Sequence, residues 1–88
     1  MDILFIADPL NTFKIHKETT YAMMRAAQAR GHSIWACTSN ALFAKGDVQA
    51  NAQQIQLLEH AVPAHWFDVT QSDTKALHSF DAIVMRKD

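Results

Sequence analysis

Asp8 and Arg86 are the side chains whose neighbours best prepare them for chemistry. The apolar run Ile3-Leu4-Phe5-Ile6-Ala7 stops at Asp8-Pro9, and the run Ala82-Ile83-Val84-Met85 stops at Arg86-Lys87-Asp88. Continuous apolar runs of this kind suit strands buried on both faces of a parallel sheet. Ligands of open α/β sheets collect outside the carboxyl ends of such strands. A carboxylate at one exit is suited to a substrate ammonium, and the planar guanidinium fork at the other to a substrate carboxylate. Each also has a structural reading. Asp8 fits a turn former ahead of Pro9 with its carboxylate on nearby backbone amides. Arg86, Lys87 and Asp88 fit a solvated loop start.

Other chemistry is thinly represented. Gly31 and Gly46 are the two glycines, so neither G-x-G-x-x-G nor a P-loop occurs. The connection from Asp8 to His16 is too long and too rich in side chains for a dinucleotide fingerprint. His16, His32, His60, His65 and His78 are scattered without the i, i+4 spacing of a helical zinc site, and read as solvated surface residues. No serine has a nucleophile-elbow context. Cys37 is the single cysteine. It excludes an intramolecular disulfide and a Cys-rich zinc site, and its apolar setting favours a buried small residue over a reactive thiol. Trp35, Trp66, Phe43 and Phe67 lack interleaved Lys or Arg, so packing is the better reading than base stacking. A helix N-terminus near Thr19-Thr20 would suit an anion.

These groups must be held by a small set of elements. Residues 2–7 read as a strand and 8–16 as a loop. A helix follows from about Lys17 to Arg30, with Glu18 in its first turn and Thr19 and Thr20 able to cap or open it. Ala26-Ala27-Gln28-Ala29 has strong helix propensity, and Gly31 stands where a left-handed C′ residue is wanted. Ser33 to Thr38 reads as the second strand, closing a βαβ unit that should be right-handed. Gly46-Asp47 between two short runs suggests a β-hairpin, with a bulge near Gln53-Gln54 where the apolar alternation shifts. A helix over 48–60 competes, because Ala and Gln also favour helix. Val62-Pro63-Ala64 reads as a connector, Trp66 to Val69 as a short strand, Ser72 to Leu77 as a short helix capped by Ser72 or Asp73, and Asp81 to Met85 as the last strand.

Composition sets outer bounds. Eighty-eight residues make one small domain. A formal net charge of −1 argues against a nucleic-acid binder, and 49% hydrophobic residues argue against disorder. No run approaches the roughly 20 apolar residues of a membrane span, and the N-terminus lacks a signal-peptide pattern. The expected setting is cytoplasmic, without membrane or nucleic-acid partners.

Two blocks of the sequence resemble bacterial glutathione synthetase. One comprises Ile6-Ala7-Asp8-Pro9, the stretch from Ile15 to Met24, and Ala27 to His32; the other is Asp81 to Asp88 with its Met-Arg-Lys-Asp ending. Glu18 stands where the family's pattern has Asp, keeping the charge. The resemblance covers nearly the whole chain, with 61–76 matching only loosely. It implies an α/β fold: a Rossmann-like pre-ATP-grasp domain, mainly parallel sheet flanked by helices, with a β-hairpin extension. It implies that residues 1–88 form the N-terminal substrate-binding domain, with central and ATP-grasp domains downstream. The family enzyme is a cytoplasmic homo-oligomer that joins γ-glutamylcysteine to glycine through an acyl phosphate, using ATP and Mg²⁺ bound outside this segment. Residues 1–88 alone would then be inactive and hold no cofactor. Carried over to this sequence, the peptide-substrate wall would include Asp8, Asn11, Lys17, Thr19, Thr20, Arg86 and Asp88. A stand-alone Rossmann-like binding or assembly module, and a related ATP-grasp amino-acid ligase, are the alternatives.

Overall fold

The computed structural model describes residues 1–15 and 17–86. Strand β1 (Asp2–Ala7) enters the sheet first, followed by helix α1 (Thr19–Ala29) and strand β2 (Ser33–Cys37). Strands β3 (Leu42–Lys45), β4 (Asp47–Val62), β5 (His65–Ala76) and β6 (Ala82–Arg86) complete it. β1 lies between β2 and β6 and runs parallel to both. β4 runs antiparallel to all three of its neighbours, β2, β3 and β5.

The expectation of a mainly parallel sheet flanked by helices is corrected here. Parallel pairing is confined to β2-β1-β6, and α1 is the only α-helix among the described residues. The reason lies in the connections. A parallel return needs a crossover of a dozen or more residues, whereas tight links give antiparallel neighbours. Gly46 alone joins the paired residues Lys45 and Asp47, at φ +79°, a conformation that glycine adopts without steric cost. Pro63-Ala64 joins β4 to β5, with Val62 opposite His65.

β2 and β3 lie end to end along one edge of β4. Ile34 to Ala36 pair with Ile55 to Gln53, and Leu42 to Lys45 pair with Ala50 to Asp47. Between them, Thr38 and the short 3₁₀ turn Ser39–Ala41 break the ladder. This favours the hairpin over the competing helix across 48–60. The apolar residues of β4 change face without breaking its alternation. Ala50 and Ala52 join one core cluster with Leu4, Ile6, Trp35, Cys37 and Phe80. Ile55 and Leu57 join the other, with Phe5, Ile34, Met24, Tyr21 and Trp66. The expected bulge falls between Gln54 and Ile55, but its extra residue is on the partner strand. Gln54 faces Gln71 while Ile55 faces Val69, leaving Thr70 unpaired, and the Thr70 hydroxyl donates to the Gln54 carbonyl at 3.2 Å.

α1 covers one face of the sheet, seated by Tyr21 and fully buried Met24. It is shorter than expected: Lys17 lies in a turn before it, and Glu18 is its N-cap residue, without a side-chain capping bond. Its end matches expectation. Gly31, at φ +84°, donates to the Gln28 carbonyl, and His32 donates to Ala27, the paired bonds of a Schellman motif. Gln28 then continues the sheet by side chain. Its amide donates to the Leu57 carbonyl at 3.1 Å and accepts from the Leu57 N–H at 2.7 Å, where β2 has no residue left to pair.

The opposite face carries no α-helix among the described residues. The return from β5 to β6 crosses it, laying Leu77 and Phe80 over Trp35. Lys75 Nζ sits 4.5 Å above the Trp35 ring and 4.8 Å above Phe80, and 3.5 Å from the Asp2 carboxylate. The helix expected over Ser72 to Leu77 is absent. Those residues continue β5 as far as Ala76, and only Leu77–Ser79 turn as 3₁₀ helix. Helix-start signals at Ser72 and Asp73 lose to β4, whose residues Gln49 to Gln53 offer Ser72 through Ala76 a full ladder. Asp73 instead accepts from the Thr74 N–H at 2.8 Å.

Candidate functional site

A cleft of about 750 Å³ opens beyond the carboxyl ends of β1 and β2. One wall is the loop Asp8–Asn11. The other comes from Asn51 and Gln53 of β4 and Ser72 to Thr74 of β5. Its floor is made of small side chains, Ala36, Cys37 and Ala52, all buried. Small residues here, together with the break between β2 and β3, leave room that bulkier side chains would fill.

The loop is shaped without Asp8. Thr12 donates both its N–H (2.9 Å) and its hydroxyl (2.6 Å) to the Pro9 carbonyl, and Phe13 N–H reaches Leu10. Phe13 then buries against Trp66, ring centroids 5.5 Å apart, which ties the loop to the core. The Asp8 carboxylate accepts no hydrogen bond from a described residue, so the turn-capping reading of Asp8 is set aside. On the opposite wall, the Thr74 hydroxyl donates to Asn51 Oδ1 at 2.7 Å, fixing one cross-strand pair. Burial pushes the Cys37 thiol above its ordinary value, so it stays protonated at neutral pH and serves as a neutral floor rather than a nucleophile.

The expected site residues divide into groups. Asp8 and Asn11 line the cleft. Thr20 and Arg86 meet elsewhere on the same rim: Arg86 Nε donates to the Thr20 hydroxyl at 3.4 Å. Arg86 is not beyond its strand, as expected, but within it, paired with Ala7, the residue before Asp8. The carboxylate and the guanidinium therefore leave neighbouring strands at one sheet edge. Lys17 and Thr19 are exposed and do not line the cleft. Asp88 lies outside the described residues. Thr38, Asn51, Gln53, Ser72 and Thr74 line the cleft without having been expected there. The available signal was the hairpin register, which places Ser72 to Thr74 beside Asn51 to Gln53 once 72–76 is read as strand.

The cleft does not suit a phosphate. Among the described residues that line it are Asp8 and Asp73 but no Lys, Arg or His, and no glycine-rich run of backbone amides. Nor do three metal-ligating side chains converge anywhere among the described residues. Among the described residues no donor set for a phosphate or a divalent cation is assembled in this cleft. No helix among the described residues is long and apolar enough to cross a membrane.

Known proteins resolve the family. The model of the prokaryotic glutathione synthetase N-terminal domain matches residues 1–88. A glutathione synthetase of Ralstonia nicotianae is 44% identical over all of this chain and 27% of its own length. One from Neisseria meningitidis serogroup A is 41% identical over the whole chain and 29% of its own length, and one from Coxiella burnetii 33% identical over 94% of this chain and 26% of its own. The chain spans little more than a quarter of the relatives it matches, with its apolar runs, α1 and the β3–β4 hairpin all inside the matched region. By its sequence, the chain belongs to the prokaryotic glutathione synthetase N-terminal domain family.

Proposed function

We propose that this chain is the substrate-binding N-terminal domain of an ATP-dependent peptide ligase that joins γ-glutamylcysteine to glycine. The carrying observation is the family match over residues 1–88; beside it, Asp8 and Asn11 line the cleft, while Arg86 pairs with Ala7 and bonds to Thr20. In this reading the fold is a Rossmann-like pre-ATP-grasp domain whose parallel core is β2-β1-β6. Lys17, in the turn before α1, and Thr19, its first residue, supply contacts to the same wall in this reading. On the same reading ATP and Mg²⁺ bind downstream segments, and the parent enzyme is cytoplasmic and homo-oligomeric.

A chimera tests the proposal. Residues 1–88 replace the corresponding segment of the Ralstonia nicotianae relative, and phosphate release is followed with γ-glutamylcysteine, glycine and ATP. Turnover that requires all three substrates is expected. A folded chimera without such turnover overturns the ligase reading. Glutathione formation by residues 1–88 alone would sink the claim that catalysis needs the downstream segments.

A further inference from the structure

We infer that the face of β6 turned away from α1 is a docking surface for an amphipathic helix, and that the free edge of β6 seats a parallel strand following that helix. Both are supplied by the chain downstream of residue 88 in the parent enzyme. The inference goes beyond the substrate-binding reading and rests on it only for the existence of that downstream chain.

The two faces of β6 are treated differently. Its register on β1 sets Ile83 beside Leu4 and Met85 beside Ile6. Leu4 and Ile6 belong to the cluster on the face opposite α1 and are at most 1% exposed, whereas Ile83 is 43% exposed and Met85 60%. Val84 lies on the other face, beside Phe5, and packs against the cluster under α1. One face of the strand is thus partly covered and the other is bare. Among the described residues β6 pairs with β1 alone, so the backbone groups on its outer side have no ladder partner.

The direction of the chain says which kind of element covers that face. From β1 the chain crosses the sheet by α1 and reaches β2 on one side. From β5 it returns across the opposite face, laying Leu77 and Phe80 by Trp35, and reaches β6 on the other side. Two crossovers that travel in opposite directions on opposite faces have the same hand, the right-handed one of parallel sheets. A strand added parallel to β6 at its free edge continues the second direction of travel. Its crossover must then pass over the face opposite α1, where Ile83 and Met85 are bare.

Such a crossover takes a dozen or more residues and is usually a helix. An apolar stripe along that helix meets Ile83 and Met85, and parallel strands are ordinarily covered on both faces in this way. A second copy set edge to edge would pair the β6 backbone and still leave those two side chains facing water.

The test sets the chimera with the Ralstonia nicotianae relative beside the dilute 88-residue chain, each carrying Ile83→Cys, Met85→Cys or Val69→Cys. Val69, on β5, is 46% exposed and serves as the control. Iodoacetamide labelling is read on the peptide that holds the new thiol. All three thiols should label readily in the 88-residue chain. In the chimera, labelling at positions 83 and 85 should slow at least about tenfold, with position 69 unchanged, and β6 amides should gain hydrogen-exchange protection. Unchanged labelling at 83 and 85 in a folded chimera, or β6 amides that exchange as freely as in the 88-residue chain, overturns the inference. Slowing that vanishes on dilution assigns the surface to a second copy and overturns it too. If the chimera does not fold, the 88-residue chain decides by itself: it should bind an apolar dye, and Ile83→Lys with Met85→Lys should abolish that binding. Equal dye binding by the two chains overturns the docking surface. An active chimera with unprotected thiols would remove this surface and leave the ligase reading standing. Protected thiols in an inactive chimera would keep the surface and remove the ligase reading.

Discussion

Among the described residues β3, β5 and β6 each pair on one side only, and the two outermost of them, β5 and β6, are built in opposite ways. β5 runs for 12 residues and is mostly polar, with Asp68, Asp73 and Lys75 along it and the extra residue Thr70 bending it. Charges and bulges are the devices by which soluble sheets blunt an open edge. β6 is five residues, Ala82-Ile83-Val84-Met85-Arg86, with neither bulge nor charge before Arg86. Ile83 is 43% exposed and Met85 60%, side by side with buried Leu4 and Ile6 across the ladder. One edge is finished for water, and the other has the composition of a surface meant to be covered. The candidate site respects this division: the cleft opens on the finished side, while Arg86 marks where the unfinished edge reaches the same rim.

The anchoring of the two edges differs as well. The second residue of β5 is Trp66, whose indole stacks on Phe13 and meets Tyr21 edge-on at 5.2 Å. β6 has no aromatic residue; beside its ladder on β1, its fixings are the Asp81 N–H on the Asp2 carbonyl, the Asp81 carboxylate on the Asp2 N–H at 2.7 Å, and Arg86 on Thr20. Trp66→Ala should therefore hit the finished edge hardest. A loss of about 3–5 kcal/mol is expected in urea unfolding. β5 amides should lose hydrogen-exchange protection while β1 and β6 keep theirs. A loss below about 1 kcal/mol would mean that the ladder, not the indole, holds β5.

An intermediate effect is expected at the place where β4 outlasts β2. Gln28→Ala strips the side chain that closes this internal edge and leaves the Leu57 N–H and carbonyl without partners. A cost of about 1–3 kcal/mol follows for part-buried groups, read in the same unfolding experiment. No change would show that water satisfies Leu57 as well as the glutamine does.

The smallest effect on stability, and the sharpest on association, is expected from giving β6 the character of β5. Ile83→Lys with Met85→Lys changes exposed positions, so unfolding free energy should move by only about 0.5 kcal/mol. Concentration-dependent association in sedimentation velocity should disappear. A wild-type chain that stays monomeric at high concentration, or a double variant that associates equally, would break the contrast between the edges.

Parts of this architecture are legible residue by residue. β1, the hairpin at Gly46 and the Schellman end at Gly31 follow from apolar runs and from two glycines in left-handed geometry. α1 is read two residues early at its start, because Lys17 and Glu18 are good helix formers with nothing local to exclude them. Asp8 and Asn11 reach the site because they follow a buried strand directly. Thr38, Gln53 and Ser72 are invisible at that level, since nothing in their own neighbourhoods marks them. They converge only when β5 takes its register on β4. Reading 72–77 as a short helix hides that convergence, and so does treating the shift near Gln53-Gln54 as a defect of β4 when the extra residue is Thr70.

The sequence by itself determined the βαβ start, the left-handed turns, the two charged strand exits and the family, because these depend on contiguous residues and on their order. Only the tertiary structure decided the antiparallel half of the sheet, the length of β5, the placement of Arg86 beside Ala7 and the polar walls of the cleft. An isolated six-residue segment such as Ser72–Leu77 is too short to hold a helix against the nucleation cost, so its conformation is set by the backbone groups of β4, some 20 residues earlier, that bond it into a strand.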